Sequence, residues 1–210
     1  VPFTYQMLQR IGLTKMDLPH LKTLTQAGGR LNEKLVRHFG EWALANDKRF
    51  YVMYGQTEAA PRISYIPYDQ VLEKAGTIGI AVPGGELSIV DDELVYSGPN
   101  VMMGYAECLA DLAKGDEMNG VLHTGDTATV DEDGYFTITG RLKRFIKLFG
   151  LRINLDDVEK KLESKFHIPL ACTGSDDKLI VAIEQEEYAE AVKAEIEALY
   201  HLHKTAYKVK

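Results

Sequence analysis

Four clusters in this chain have residue types and spacing suited to chemistry. Tyr54-Gly55-Gln56-Thr57-Glu58 places an aromatic ring, a short hydroxyl and a carboxylate within five positions, directly after the run Arg49-Phe50-Tyr51-Val52-Met53. A ring can stack on a flat group, a threonine hydroxyl donates to an anionic oxygen, and a glutamate is a hard oxygen ligand for a divalent cation. His123-Thr124-Gly125-Asp126 follows downstream. The Asp126 carboxylate has two oxygens that can accept two donors at once, and charge-assisted bonds of this kind contribute about 1.5–3 kcal/mol each. Arg141 lies fifteen positions further on, in a stretch that also holds Lys143, Arg144, Lys147, Gly150 and Arg152. The fourth cluster is Gly28-Gly29, in Gln26-Ala27-Gly28-Gly29-Arg30. Glycine tolerates positive φ and has no side chain, so backbone there can come close to a ligand. Each cluster also has a plain structural reading: a strand end, a Thr-Gly-Asp turn, the solvated face of a hairpin, and a strand-to-helix turn.

The elements that would hold these residues follow from periodicity. A helical pattern opens the chain with Tyr5, Leu8 and Ile11 and stops at Gly12. Residues 21–27 read as a strand. From Asn32, an N-cap, Leu35, Phe39, Trp42 and Ala43 recur at helical spacing. Residues 49–54 read as a second strand, so 21–55 is strand, helix, strand, as in a parallel α/β layer. From residue 76 the pattern changes to short strands separated by Gly, Asp and Pro, including a hairpin at Asp91-Asp92, a strand pair over 121–130, and a turn at 131–134. Beyond residue 141, a hairpin turning at Phe149-Gly150 leads through Asn154 into a helix over 155–166, with Leu155, Val158, Leu162 and Phe166 on one face. Strands at 169–173 and 179–183, a helix through Tyr188, Val192, Ile196 and Leu199, and a strand start at 207 complete the chain. The expected fold class is α/β plus α+β. Residues 1–75 form part of a large α/β domain, 76–140 a small antiparallel barrel or sheet of the same domain, and 141–210 a small α+β domain.

Composition narrows the function classes. The 210 residues are 45% hydrophobic and 26% charged, within the range of ordinary globular proteins. A formal net charge of −7 argues against broad nucleic-acid binding, which needs clustered basic surface. No apolar run reaches the ~18 residues of a membrane-spanning helix. Cys108 and Cys172 are too few for a disulfide framework, and each is expected as a small buried apolar group in a reducing cytoplasm.

In order and spacing, the Tyr54–Glu58, Asp126 and 140–154 motifs resemble the adenylate-forming superfamily of acyl-CoA synthetases, luciferases and peptide-synthetase adenylation domains. These enzymes activate a carboxylate with ATP as an acyl-adenylate and pass the acyl group to a thiol or another nucleophile. The resemblance implies that Gly28 and Gly29 let backbone approach adenine, and that Tyr54 of the Tyr54-Gly55-Gln56 turn stacks on the ring. It places Thr57 at a phosphate, Glu58 on Mg²⁺, and Asp126 and Arg141 at the ribose. Lys143 falls at the hinge between large and small domains, and Lys147 and Gly150 fall on the CoA pantetheine side. Ala59, Ala60 and Ile63 fall near the acyl pocket. The implied cofactors are ATP or AMP, Mg²⁺ and CoA, and the implied substrate is a small carboxylate.

Two parts of the superfamily pattern are missing from these residues. There is no glycine-rich, Ser/Thr-rich phosphate loop ending in Lys. There is also no Gly-Lys pair near the end, since Lys204, Lys208 and Lys210 do not follow a glycine. The chain is therefore expected to be a fragment of an acyl-CoA synthetase with little adenylation activity alone. Two alternatives remain open: an adenylation domain serving the phosphopantetheine of a carrier protein, and a truncated, non-catalytic nucleotide- or partner-binding protein.

Overall fold

The computed structural model describes residues 1–148, 151–175 and 178–210, without the side chains of Lys143 and Arg152. The chain divides into two compact units, Val1–Thr124 with Ala128–Ile138, and Gly125–Thr127 with Thr139–Lys210.

In the first unit, α1 (Pro2–Arg10) buries Tyr5, whose hydroxyl donates to the Thr25 carbonyl at 2.7 Å. β1 (Thr23–Gln26) leads into α2 (Glu33–Ala45), and β2 (Arg49–Tyr54) returns parallel to β1 with Leu24 opposite Phe50. The Asn32 side chain caps α2 by accepting from the Lys34 N–H at 2.8 Å. Leu35, Val36, Phe39 and Ala43 of α2 pack with Tyr5, Leu24, Phe50 and Val52 into one apolar cluster. Two strands not anticipated from sequence extend this layer: β3 (Ser64–Ile66) pairs antiparallel with β2, and β4 (Ile80–Ala81) with β3. They lie close together because Gly79, at φ +83, sits against the Tyr65 carbonyl where no side chain fits.

β5 (Glu86–Val90) and β6 (Glu93–Ser97) form the expected hairpin, with Asp91 and Asp92 both at positive φ as a type I′ turn requires. With β7 (Val121–Val130) and β8 (Phe136–Arg141) they make a sheet in the linear order β5-β6-β7-β8, so the barrel-or-sheet expectation resolves to a sheet. Residues 121–130 are one ten-residue strand rather than the expected pair. Gly125 does adopt the left-handed φ of a turn, +71, but strand geometry continues on both sides of it. In the turn after β7, Asp131 accepts from the N–H groups of Asp133 and Tyr135, and the Lys74 ammonium bonds Asp131 and Asp133.

The second unit contains the hairpin β9 (Phe145–Leu148) and β10 (Leu151–Asn154), paired antiparallel with Leu148 opposite Leu151. Its expected turn at Phe149-Gly150 lies outside the described residues. Asn154 caps α3 (Leu155–Phe166) by accepting from the N–H groups of Asp156 and Asp157. β11 (Leu170–Ser175), β12 (Lys178–Ile183), α4 (Ala189–Tyr200) and β13 (Tyr207–Val209) follow, and the sheet order is β11-β12-β13. Ile146, Leu148, Val158, Leu162, Leu179, Val181, Val192 and Ile196 form its core. Cys172 is buried as expected, but Cys108 is exposed. The Cys108 N–H donates to Asp111 at the start of the short 3₁₀ turn Leu109–Ala113, so local capping rather than packing fixes it. Among the described residues no helix is long and apolar enough to cross a membrane.

Candidate functional site

The Tyr54–Glu58 motif sits where β2 ends and the chain reverses through a 3₁₀ turn, Thr57–Ala59. Only glycine fits at position 55: a Cβ there would run into the Pro61 carbonyl and lie 2.7 Å from the Arg62 nitrogen. The returning chain is locked by a bond from the Ile63 N–H to the Tyr54 carbonyl at 3.0 Å. The Gln56 amide nitrogen reaches the Tyr54 hydroxyl at 3.3 Å and the Thr124 carbonyl at 2.8 Å, which fixes the two side chains relative to each other. Thr57 is exposed and Glu58 is half-buried. The Glu58 carboxyl is held below the usual carboxylate range, first by its own backbone N–H and then by the Tyr105 hydroxyl, 2.8 Å from Oε1. It is therefore ionised at neutral pH.

Three residues outside every sequence motif hold this turn. Asn100 donates from Nδ2 to the carbonyls of Ala59 at 2.7 Å and Arg62 at 2.8 Å, and accepts from the Tyr96 hydroxyl at 2.7 Å. The Met102 N–H donates to the Glu58 carbonyl at 2.8 Å. Tyr105 completes the set through the Glu58 side chain. They lie 38 to 47 positions downstream of the turn residues they hold, and no local pattern marks such a separation. Ala59 and Ile63, two acyl-pocket candidates, are buried in one apolar cluster with Tyr96 and Leu122. Ala60 is exposed at a left-handed φ of +50.

Gly28 and Gly29 both adopt positive φ, +74 and +138. The buried Gln26 amide donates to the Gly29 carbonyl at 2.6 Å and fixes the turn. Cβ atoms at these positions would lie 3.1 Å from Val1 and 3.2 Å from Pro2.

In the second unit, the two ribose-side candidates meet. Arg141 Nε donates to Oδ1 of the buried Asp126 at 3.1 Å. The Arg141 backbone N–H donates to Asp156 at the start of α3, 2.9 Å away. Arg144 had two open readings, site residue or solvated face, and the structure gives a third. Its guanidinium bonds Asp156 and Glu159, each at 2.7 Å, and the Cys172 carbonyl at 2.8 Å. Lys147 is exposed on β9, opposite Arg152 in register. Lys143 falls in the 3₁₀ turn Leu142–Arg144; its side chain and all of Gly150 lie outside the described residues.

The donor set on the 3₁₀ turn, an ionised carboxylate beside a hydroxyl, is hard oxygen and fits Mg²⁺. That cation is commonly bound through one or two carboxylates together with substrate phosphates and water. Among the described residues no group of three or more His, Cys, Asp or Glu could hold a metal, and a cation of this kind does not need one.

The fold is that of adenylate-forming enzymes. The O-succinylbenzoate coenzyme A synthetase of Bacillus subtilis, in complex with AMP, superposes on 100% of this chain and 46% of its own, with a TM-score of 0.71 at 20% identity. The same synthetase in complex with ATP and magnesium ion gives a TM-score of 0.66 at 22% identity, covering 98% of this chain and 46% of its own. The AMP-binding enzyme family pattern matches residues 1–106, and the chain belongs to this family. A feruloyl-CoA synthase from Amycolatopsis is 37% identical over 160 residues, which is 70% of this chain and 31% of that protein. A long-chain-fatty-acid–CoA ligase from Escherichia coli O6:H1 is 34% identical over 147 residues, 65% of this chain and 26% of that protein. The chain thus spans less than a third of the length of these two relatives.

Proposed function

We propose that the protein belongs to the machinery of an AMP-forming acid–thiol ligase, which activates a carboxylate as its acyl-adenylate and transfers the acyl group to CoA. The observation that carries this reading is the turn after β2. There a glycine that tolerates no Cβ presents an exposed Thr57 hydroxyl and an ionised Glu58 at the carboxyl end of a parallel strand, where α/β sheets bind ligands. CoA is favoured over a carrier protein because the relatives named above are CoA ligases. Their names also suggest aromatic and long-chain aliphatic acids as the first substrates to try.

In this reading the Tyr54 ring stacks on adenine, with Gln56 bonded to the Tyr54 hydroxyl and the Gly28-Gly29 backbone close to the base. Asp126 accepts from the ribose hydroxyls and Arg141 orients it. Thr57 donates to a phosphate oxygen and Glu58 holds Mg²⁺, which supplies charge neutralisation on the phosphates when bound. Lys143 is the hinge between a large domain, with 1–75 as its α/β part and 76–140 as its β part, and a small domain, 141–210. Lys147 and Gly150 belong to the pantetheine side. A cytoplasmic setting completes the proposal.

Binding of Mg·ATP to the protein as its own gene encodes it, measured by isothermal titration calorimetry, tests the reading. Losing one charge-assisted ribose bond contributes about 1.5–3 kcal/mol, so Asp126→Asn is expected to weaken binding by about tenfold or more. Unchanged affinity in that variant would remove Asp126 from the site.

A further inference from the structure

We infer that Tyr105 is a positioning residue for Glu58: its phenol holds one carboxylate oxygen so that the group already faces a divalent cation when nucleotide arrives. This rests on the assignment of Glu58 to Mg²⁺ proposed above.

Residues 100–105 are tied to the Glu58 turn at three points. Asn100 holds the carbonyls of Ala59 and Arg62, the Met102 N–H holds the Glu58 carbonyl, and the Tyr105 hydroxyl holds Glu58 Oε1 at 2.8 Å. The segment is fixed from its other side as well, because the Glu117 N–H donates to the Met103 carbonyl at 2.7 Å. Gly104, at φ +153, takes a conformation that side-chain-bearing residues rarely adopt, and the Glu117 carboxylate lies 2.9 Å from where its Cβ would stand. The approach of Tyr105 to Glu58 is thus set by backbone held at Met102 and Met103, directly before it.

Tyr105 is 64% exposed, so it contributes little to the core. Its hydroxyl donates to Glu58. A free glutamate has three rotatable bonds and loses much rotamer freedom when it takes up a ligand. A rigid two-torsion tyrosine bonded to one oxygen removes part of that loss in advance, which is preorganisation. A bond between a phenol and a carboxylate does not compete with a cation for the whole group, because a carboxylate has about four lone-pair sites.

The test compares wild type, Tyr105→Phe, Glu58→Gln and the double variant in the naturally encoded protein. Mn²⁺ serves as the probe, and its binding in the presence of a β,γ-methylene ATP analogue is followed by electron paramagnetic resonance. Tyr105→Phe keeps the ring and is expected to weaken Mn²⁺ binding about fivefold, ~1 kcal/mol, with metal-free analogue affinity and Tm unchanged. In the Glu58→Gln background the same substitution is expected to add nothing. Wild-type Mn²⁺ affinity in Tyr105→Phe would overturn the inference. An equal loss of metal-free analogue affinity would also overturn it, since Tyr105 would then act on the nucleotide and not through Glu58. Wild-type Mn²⁺ affinity in Glu58→Gln would instead sink the assignment of Glu58 to the metal, and the inference with it.

Discussion

Gly55→Ala concentrates the structural argument into one methyl group. The added Cβ would lie 2.7 Å from the Arg62 nitrogen and closer still to the Pro61 carbonyl, whereas ordinary Cβ contacts begin near 3.4 Å. The returning strand must therefore retreat by at least about 0.7 Å (3.4 − 2.7) from Arg62 alone. Overpacking of this kind costs about 1–3 kcal/mol. Against it stands the gain from stiffening the unfolded chain, about 0.4–1 kcal/mol for glycine to alanine. The clash wins because both neighbours are backbone, held by the bond from the Ile63 N–H to the Tyr54 carbonyl. In a chain of this size each kcal/mol lowers Tm by about 2–4 °C, so a net loss of a few degrees is expected. The functional effect should be larger, because Thr57 and Glu58 ride on the displaced turn. A misplacement approaching 1 Å costs about 100-fold in rate, and about 10- to 100-fold is expected here. The assay pairs thermal denaturation by circular dichroism with adenylation rate in the naturally encoded protein. Gly115→Ala is the control. It is exposed with nothing within 4 Å, and should stay within about 0.5 kcal/mol of wild type. Wild-type Tm and rate in Gly55→Ala would refute the reasoning.

Other expectations follow from single contacts. Asn154→Ala removes the cap on α3 and should lower stability by about 1 kcal/mol, read as a Tm drop of about 2–4 °C. The Asp131 carboxyl is held below its usual range, first by the Tyr135 N–H and then by the Lys74 ammonium, so its stabilising contribution is complete above about pH 4 and is lost as pH falls towards the lowered value. Asp131→Asn should therefore flatten the fall of Tm between neutral pH and pH ~3. Burial pushes the Cys172 thiol up to about 12, whereas Cys108 is exposed. Ellman's reagent at mildly alkaline pH should then titrate one thiol rapidly in the native protein and both after denaturation.

Much of the fold was legible because its signals are local. Asn154 followed by Leu155, Val158, Leu162 and Phe166 marks both the start and the buried face of α3. Asp91-Asp92 between alternating runs marks the β5–β6 turn. What escaped depends on contacts between distant residues. β3 and β4 are three and two residues long and carry no periodic signal. Their pairing needs Gly79, where any side chain would run into the Tyr65 backbone. The apparent turn at Thr124-Gly125-Asp126 is a left-handed glycine inside a continuous strand, which composition alone cannot separate from a hairpin. At the candidate site, the Tyr54–Glu58 motif is contiguous and therefore readable, while Asn100 and Tyr105 reach it only through the folded chain. Arg144 could be read as a site residue or a solvated hairpin residue because its partners Asp156 and Glu159 lie on α3, beyond β10.

The central proposal, an acyl-adenylate on the route from carboxylate to thioester, has a direct chemical signature. A carboxylate oxygen attacks the α-phosphorus of ATP and expels pyrophosphate. The thiol then attacks the acyl carbon, and that oxygen departs with AMP. Aromatic and aliphatic acids labelled with oxygen-18 in the carboxylate, supplied with ATP, Mg²⁺ and CoA to the naturally encoded protein, should yield AMP carrying one labelled oxygen by mass spectrometry. Release of ADP and phosphate, or of AMP without label alongside acyl-CoA, would contradict the account.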